Sequence, residues 1–341
     1  MKDELSPDAV AGALGRNDGG FGRAQESYYG HPVVRKAHWR WEIEYYFWIG
    51  GIMSGSALIG AFVEHFGDED DKPLVRNARY LALLGATVSG GLLVKDLGRP
   101  ERFLNMLRIV KLGSPMSVGA WTLAWFSASA GLSVADQVVR DGLFPFDPVF
   151  FIPVWMRDAS LALSSALMGG YTGVLVAATA IPVWYEGRRH LPALFVSSAA
   201  ATACSANALL LAISGGSPRA LAKLERLETI AALTELSLLI HYERTVGKAA
   251  APLFAGPVGR ELKRWTMLAG TIAPLLLNAT AWFESGDAHA AAPKKGIPWK
   301  TVAASALTLY GGLVLRKCVL EAGRASADDP KPVLRPRDPA G

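Results

Sequence analysis

The charged segment between residues 95 and 117 holds the first side chains whose types and spacing could do chemistry. Asp96 closes one long apolar run, Arg99 and Arg102 follow it directly, and Ser114-Pro115-Met116-Ser117 leads into the next run. A carboxylate beside guanidinium groups could bind and protonate a small polar ligand. The same residues could instead form nothing more than a basic loop, in which Pro100 and Pro115 mark the ends of the flanking helices.

A second group of reactive side chains lies inside apolar runs. Glu228 and Glu235 are seven residues apart, so both would share one face of a helix. Tyr171 stands in the middle of another run, in Tyr171-Thr172-Gly173. Ionisable groups at membrane depth are costly and often mark a binding site or a proton path. Glu235 could instead be a neutral structural donor, and Tyr171 could simply pack against a neighbour.

These side chains need long helices to position them. The chain is 51% hydrophobic yet 19% charged, which indicates apolar blocks separated by polar ones. Each block approaches or exceeds the ~20 residues that a helix needs to cross a bilayer. The pattern predicts an all-α integral membrane protein with about eight transmembrane helices. The runs are 42–66, 77–97, 117–138, 158–184, 191–213, 228–246, 264–283 and 299–319.

Three regions follow from this pattern. Residues 1–40 form a polar N-terminal arm for the membrane interface or partner docking, 41–320 the eight-helix membrane domain, and 321–341 a polar, Pro-rich tail. Of the 35 Lys and Arg residues, 24 fall on the N-terminal side of this topology, which predicts cytoplasmic termini for a multi-pass protein. Because successive membrane helices alternate in direction, helix 1 begins and helix 2 ends on that side. Glu44 and Tyr46 would therefore lie near Asp96.

Several function classes are excluded by what the sequence lacks. The pI near 9.2 comes without a motif that reads nucleic acid, so no nucleic-acid partner is expected. Two cysteines are too few for an iron–sulfur cluster held by this chain alone. Haem would need two histidines at matched depth, and no such pair occurs inside the runs. No metal site is predicted. Glycines such as Gly51 and Gly55 are interpreted as helix-packing positions.

With the loop and the helices in place, the chain resembles the NrfD/PsrC family of membrane anchors, the polysulfide-reductase type. The resemblance rests on Asp96-Leu97-Gly98-Arg99-Pro100 with Arg102-Phe103, and on Ser114-Pro115-Met116-Ser117 with Gly119 and Trp121. Tyr171-Thr172-Gly173 and Tyr28-Tyr29-Gly30 with Pro32 are also similar to family patterns. The match extends from about residue 27 to residue 320.

The resemblance implies an anchor of two four-helix bundles without a redox cofactor of its own. Such an anchor exchanges electrons between menaquinone or ubiquinone and an iron–sulfur subunit. A molybdenum or tungsten enzyme completes the complex. The anchor lies in the bacterial cytoplasmic membrane. Here Asp96, Arg99 and Tyr171, with Tyr46 and Glu44, would surround the quinone. Protons would move through three acids, namely Asp96, Glu228 and Glu235.

Two features of this chain differ from what the resemblance implies. Family members use an Asn and a His in the first turns of helix 1, where this chain has Glu42, Glu44, Tyr45 and Tyr46. In relatives with an exported enzyme the quinone face is periplasmic, whereas the charge bias places the same face inside. Two other functions stay open, namely a proton-coupled transporter of a small anion and a passive anchor for redox subunits.

Overall fold

The structure, a computed structural model, describes residues 39–99, 101, 103–145, 151–284 and 298–328, together with Val34 and Ala37. Within these ranges the chain is helical and has no strand, which confirms the all-α prediction. Most of the predicted arm and tail lie outside the described residues. So do these residues named above: Tyr28, Tyr29, Gly30, Pro32, Pro100 and Arg102.

In the described part of the chain, eight long helical stretches, which we number α1 to α8, each overlap one of the predicted apolar runs. Stretch α7 consists of three consecutive segments, and its middle segment is a π-helix. The stretches are α1 Trp41–Phe66, α2 Lys72–Asp96, α3 Pro115–Arg140, α4 Val154–Ala177, α5 Leu191–Ser214, α6 Pro218–Val246, α7 Gly256–Glu261 with Leu262–Ile272 and Ala273–Glu284, and α8 Trp299–Asp328. Short helices between them are Glu69–Asp71, Phe103–Met106, Pro182–Glu186, Gly187–Arg189, Gly247–Ala250 and Ala251–Phe254.

Five of these helices are long and apolar enough to cross a membrane: α1, α3, α4, α5 and α8. Stretches α2 and α6 are long enough, but charged residues lower their hydropathy. The three segments of α7 are each shorter than 18 residues. Large apolar side chains are exposed on the outer faces, for example Leu163 on α4 at 57% and Ile230 on α6 at 62%. Exposed apolar side chains around a helical core are what a lipid-facing surface requires.

The helices α1 and α5 lie at the centre of the packing. Helix α1 contacts α2, α4, α5 and α8, and α5 also contacts α6. The close approach of α1 to α5 depends on glycine, because a Cβ atom at Gly55 would lie 2.6 Å from Cβ of Ala203. At Gly51 the corresponding distance to Cβ of Ala199 is 3.2 Å. The packing role predicted for these two glycines is confirmed.

A far-end ion cluster joins the first four helices where α1 and α3 end and α2 and α4 begin. The guanidinium of Arg79 is 2% exposed and lies 3.1 Å from Asp136, 3.4 Å from Glu64 and 3.5 Å from Asp158. Salt bridges of this kind hold all four helices together at this end. The cluster comprises Glu64, His65, Arg79, Asp136, Arg140, Arg157 and Asp158.

Candidate functional site

A cleft opens at the opposite end of the helices, where α1 and α3 begin and α2 ends. It contains about 680 Å³ of space, part of it open to solvent, and most of its lining is apolar. The polar exceptions include Tyr46, Asp96 and Tyr171, three of the five residues expected around the ligand. The other lining residues are Trp39, Ile43, Phe47, Leu93, Leu97, Phe103, Met106, Met116, Gly119, Ala120, Leu123 and Leu175.

Antiparallel helices bring these three side chains together. Tyr46 lies in the second turn of α1, Asp96 is the last residue of α2, and Tyr171 comes from α4. Tyr46 is 2% exposed, and Asp96 is partly exposed at the cleft. No hydrogen bond or salt bridge joins Tyr46 or the Asp96 carboxylate to another described residue. Both groups are therefore available to a ligand.

Gly119 makes room for the ring of Tyr171. A Cβ atom at this position would lie 1.9 Å from Cζ of Tyr171, so any side chain there would displace the ring. The Tyr171 hydroxyl donates a hydrogen bond to the carbonyl oxygen of Pro115 at 2.9 Å. The start of α3 thus fixes the phenol at the cleft, which gives a structural reason for Gly119 in the segment after Ser117.

The structure does not bring Glu44 or Arg99 to the lining. Glu44 pairs with Arg324 of α8, with 3.1 Å between Oε1 and Nη2. Glu44 is two residues from Tyr46, which is about 200° around a helix, so the two side chains lie on nearly opposite faces. Arg99 follows the end of α2 and is exposed.

Glu42 is a neighbour of the cleft that was not among the predicted site residues. It precedes Tyr46 by four residues and therefore lies on the same side of α1. Its side chain is buried, with one oxygen 3.7 Å from Nζ of Lys95 and the other without a hydrogen-bond partner among the described residues. The i, i+4 spacing to Tyr46 was the signal that could have identified it.

The end of the N-terminal arm closes one side of the cleft. Trp39 lines the cleft and stacks on Trp184, with ring centroids 5.3 Å apart. Its carbonyl oxygen accepts a hydrogen bond from Arg324 at 2.6 Å. The same guanidinium pairs with Glu44, so Arg324 fastens the beginning of α1 to α8 beside the cleft.

Glu228 and Glu235 lie inside the helix assembly, on the face of α6 that packs against α5 and α8. Glu228 is 2% exposed and accepts hydrogen bonds from Ser205 and Thr308, each at 2.8 Å. Glu235 is 5% exposed. The shared helix face predicted from their spacing is confirmed, although neither residue reaches the cleft.

The comparison with family models agrees with this architecture. Residues 33–326, nearly the whole chain, match the model described as polysulphide reductase, NrfD. The chain belongs to the NrfD family. Members of the NrfD family are membrane subunits of quinone-linked oxidoreductase complexes, and they generally assemble with iron–sulfur and molybdenum-type subunits. No curated protein matches this NrfD chain by sequence.

The described residues also bear on metal chemistry. Among them, no group of three or more His, Cys, Asp or Glu side chains is arranged to hold a metal ion. Both cysteines, Cys204 and Cys318, are buried and free. The side chains at the cleft are instead phenols and a carboxylate within an apolar lining, which fits the ring and carbonyl oxygens of a quinone.

Proposed function

We propose that this chain is the quinone-reactive membrane subunit of a multisubunit oxidoreductase. It would pass electrons between an iron–sulfur partner and menaquinone or ubiquinone, with a molybdenum or tungsten subunit completing the complex in the bacterial cytoplasmic membrane. The observation that carries the proposal is the cleft, where Tyr46, Asp96 and Tyr171 meet within an apolar lining in a member of the NrfD family.

Some of the cleft residues would bind the quinone, and others would transfer protons. A bound quinone supplies the two-electron, two-proton chemistry. Tyr46 can donate a hydrogen bond to one of its carbonyl oxygens, and Asp96 can give or take a proton at the same place. The ring of Tyr171, whose hydroxyl is held by Pro115, can pack against the quinone. Because Asp96 lies at the end of α2, it can exchange that proton with the solvent at the cleft mouth. Glu228 and Glu235 would carry protons within the helices.

The remaining predicted residues have other places in this scheme. Arg99 is exposed beyond the cleft, which suits a docking face for the iron–sulfur subunit. Glu44 would hold α1 to α8 through Arg324 and so shape the cleft without touching the quinone. The basic segment after α2 also exposes apolar side chains, including Ile109 at 74% and Leu112 at 83%, which a partner could cover.

We further propose that all eight long stretches cross the membrane as two four-helix bundles with cytoplasmic termini. Helices α1 to α4 form a closed ring of contacts, and α5 to α8 form a second. The charges that lower the hydropathy of α2 and α6 include buried ones, such as Arg79, Glu228 and Glu235. Buried groups face protein and not lipid, so they do not prevent either helix from spanning.

Mild-detergent purification of the tagged chain from its native membrane tests the class of function. We expect iron–sulfur and molybdenum or tungsten subunits to co-purify, together with extractable quinone. Metal analysis and a quinone extract are the measurements, and a tagged unrelated multi-pass protein is the control. A lone chain without metal or quinone would contradict the proposal, and ion uptake by that chain in vesicles would then indicate a transporter. Redox subunits without quinone would indicate a passive anchor.

A further inference from the structure

Three hydroxyl side chains of α8 face two acids of α6 inside the helix assembly. Thr301 donates a hydrogen bond to Glu225 and Thr308 donates one to Glu228, each at 2.8 Å. Ser305 follows Thr301 by four residues and precedes Thr308 by three, so the three hydroxyls share one face of α8. The space between α6 and α8 is therefore lined by oxygen atoms.

Glu228 lies inside the closed ring of contacts that α5 to α8 form. Helices α6 and α8 lie opposite each other in this ring, so the hydrogen bond between Thr308 and Glu228 crosses its interior. Ser205 of α5 donates a second hydrogen bond to the same carboxylate oxygen at 2.8 Å. Asn278 of α7 adjoins Glu228 and is 4% exposed. All four helices thus bring an oxygen-bearing side chain to one interior place.

Ser305 points to an occupant of this place that is not protein. It is 1% exposed, and its hydroxyl has no hydrogen-bond partner among the described residues. Its position between Thr301 and Thr308 directs it at the space beside Glu225 and Glu228. A buried polar group without a protein partner is rare, and an unseen water or ion is a usual reason for it.

The two acids bring negative charge to the same space. Glu228 is 2% exposed and Glu225 is partly exposed, and neither forms a salt bridge with another described residue. Because they are three residues apart on α6, their side chains are neighbours on the helix surface. A carboxylate in a membrane interior is costly unless a proton or a cation compensates its charge. The oxygen atoms around Glu228 favour the cation.

We propose that this interior site binds Na⁺ through Glu228, Ser205, Ser305 and Thr308. A hydroxyl group has one donor hydrogen and two acceptor lone pairs. Ser205 and Thr308 can therefore donate to the carboxylate and coordinate a cation at the same time. Hard cations take oxygen ligands of this kind, and one deeply buried carboxylate balances one positive charge.

The ion would enter from the membrane face opposite the cleft. Thr308 follows the start of α8 at Trp299 by nine residues, which is about 14 Å along the helix and close to half of the ~30 Å hydrocarbon core. Glu225 and Thr301 lie nearer that face and offer an earlier pair of oxygens. The site does not depend on the proposed function. Glu228 can hold either a proton or a cation, so the ion would share this residue with the proton path proposed above.

Equilibrium dialysis of the full chain in lipid nanodiscs against radioactive sodium tests the site. We expect saturable binding that unlabelled NaCl displaces and choline chloride of equal ionic strength does not. The midpoint of thermal unfolding should rise with Na⁺ as well, because a ligand of the folded state stabilises it. Glu228→Gln keeps the size of the side chain but removes its charge, and it should weaken binding by at least about tenfold.

Variants of single hydroxyls separate ion binding from a purely structural role. Thr308→Val and Ser305→Ala should weaken binding several-fold, whereas Thr308→Ser keeps the hydroxyl and should retain it. Glu243→Gln and Thr234→Val are the matched controls, because both residues lie on α6 outside the interior site, and they should bind like wild type.

If Glu228→Gln does not fold, the contrast between Thr308→Val and Thr308→Ser decides the test. Wild-type protein without saturable Na⁺ binding would overturn the proposal, and so would folded Glu228→Gln and Thr308→Val variants that bind like wild type. Either result would indicate that the hydroxyls only hold a protonated Glu228. Neither would bear on quinone binding at the cleft.

Discussion

Replacing Asp96 by Asn is expected to lower quinone-linked turnover by at least about 100-fold, the usual contribution of a positioned acid or base. The substitution preserves the shape of the side chain but removes its ability to exchange a proton. The Asp96 carboxylate makes no hydrogen bond or salt bridge to another described residue, so folding and assembly should not change. The measurement is decylubiquinone reduction by the purified complex, with reduced methyl viologen as the electron donor.

Glu101→Gln is the matched control for this substitution. Glu101 is an exposed acid in the same segment, five residues after Asp96, and it does not line the cleft. The control should keep wild-type turnover, and both variants should co-purify with the same subunits. Wild-type turnover in Asp96→Asn would contradict the assignment of Asp96 as the proton-exchanging group.

Replacing Arg79 by Met is expected to destabilise the protein by about 3–5 kcal/mol, the usual cost of removing one partner from a buried ion pair. The guanidinium of Arg79 contacts three carboxylates, from Glu64, Asp136 and Asp158. Without it, buried negative charge in the far-end ion cluster loses its principal compensation. The lower stability can be measured as a reduced midpoint of thermal unfolding in detergent.

Arg76→Met serves as the comparison for this effect. Arg76 lies one turn earlier on α2, is 56% exposed at its side chain, and pairs with Asp141 at 3.1 Å. Exposed ion pairs contribute about 0–1 kcal/mol, so this variant should unfold close to wild type. Equal unfolding midpoints for the Arg79 and Arg76 variants would show that the cluster does not lock the four helices.

The helices could be predicted from the sequence because apolar length is a strong signal. Six of the eight predicted runs fall within a helical stretch of the structure, and the start of α5 at residue 191 agrees to the residue. The ends were harder to predict. The fourth run was extended to residue 184, but α4 ends at Ala177 and a separate short helix begins at Pro182. Apolar composition continues through this break, so composition alone cannot locate it.

The site was partly predictable for a related reason. Antiparallel threading was sufficient to place Tyr46 and Asp96 at one end of the bundle. It could not show which face of α1 meets the cleft, which is why Glu44 was selected and Glu42 was not. The count of Lys and Arg residues on each side of the predicted topology assigned Arg79 and Arg316 to the polar segments at the helix ends. Both are buried, because carboxylates and hydroxyls on neighbouring helices surround them, and no local pattern reveals those neighbours.

Photolabelling with an azidoquinone tests the central claim most directly, because it asks whether the cleft binds a quinone. In the purified complex we expect saturable labelling of residues 39–47, 93–106 or 116–123, and unlabelled menaquinone or ubiquinone should compete for it. Gly119→Ala, which displaces the ring of Tyr171, should reduce the labelling several-fold. Labelling that does not saturate, is not competed, or falls on another surface of the chain would contradict a quinone site at this cleft.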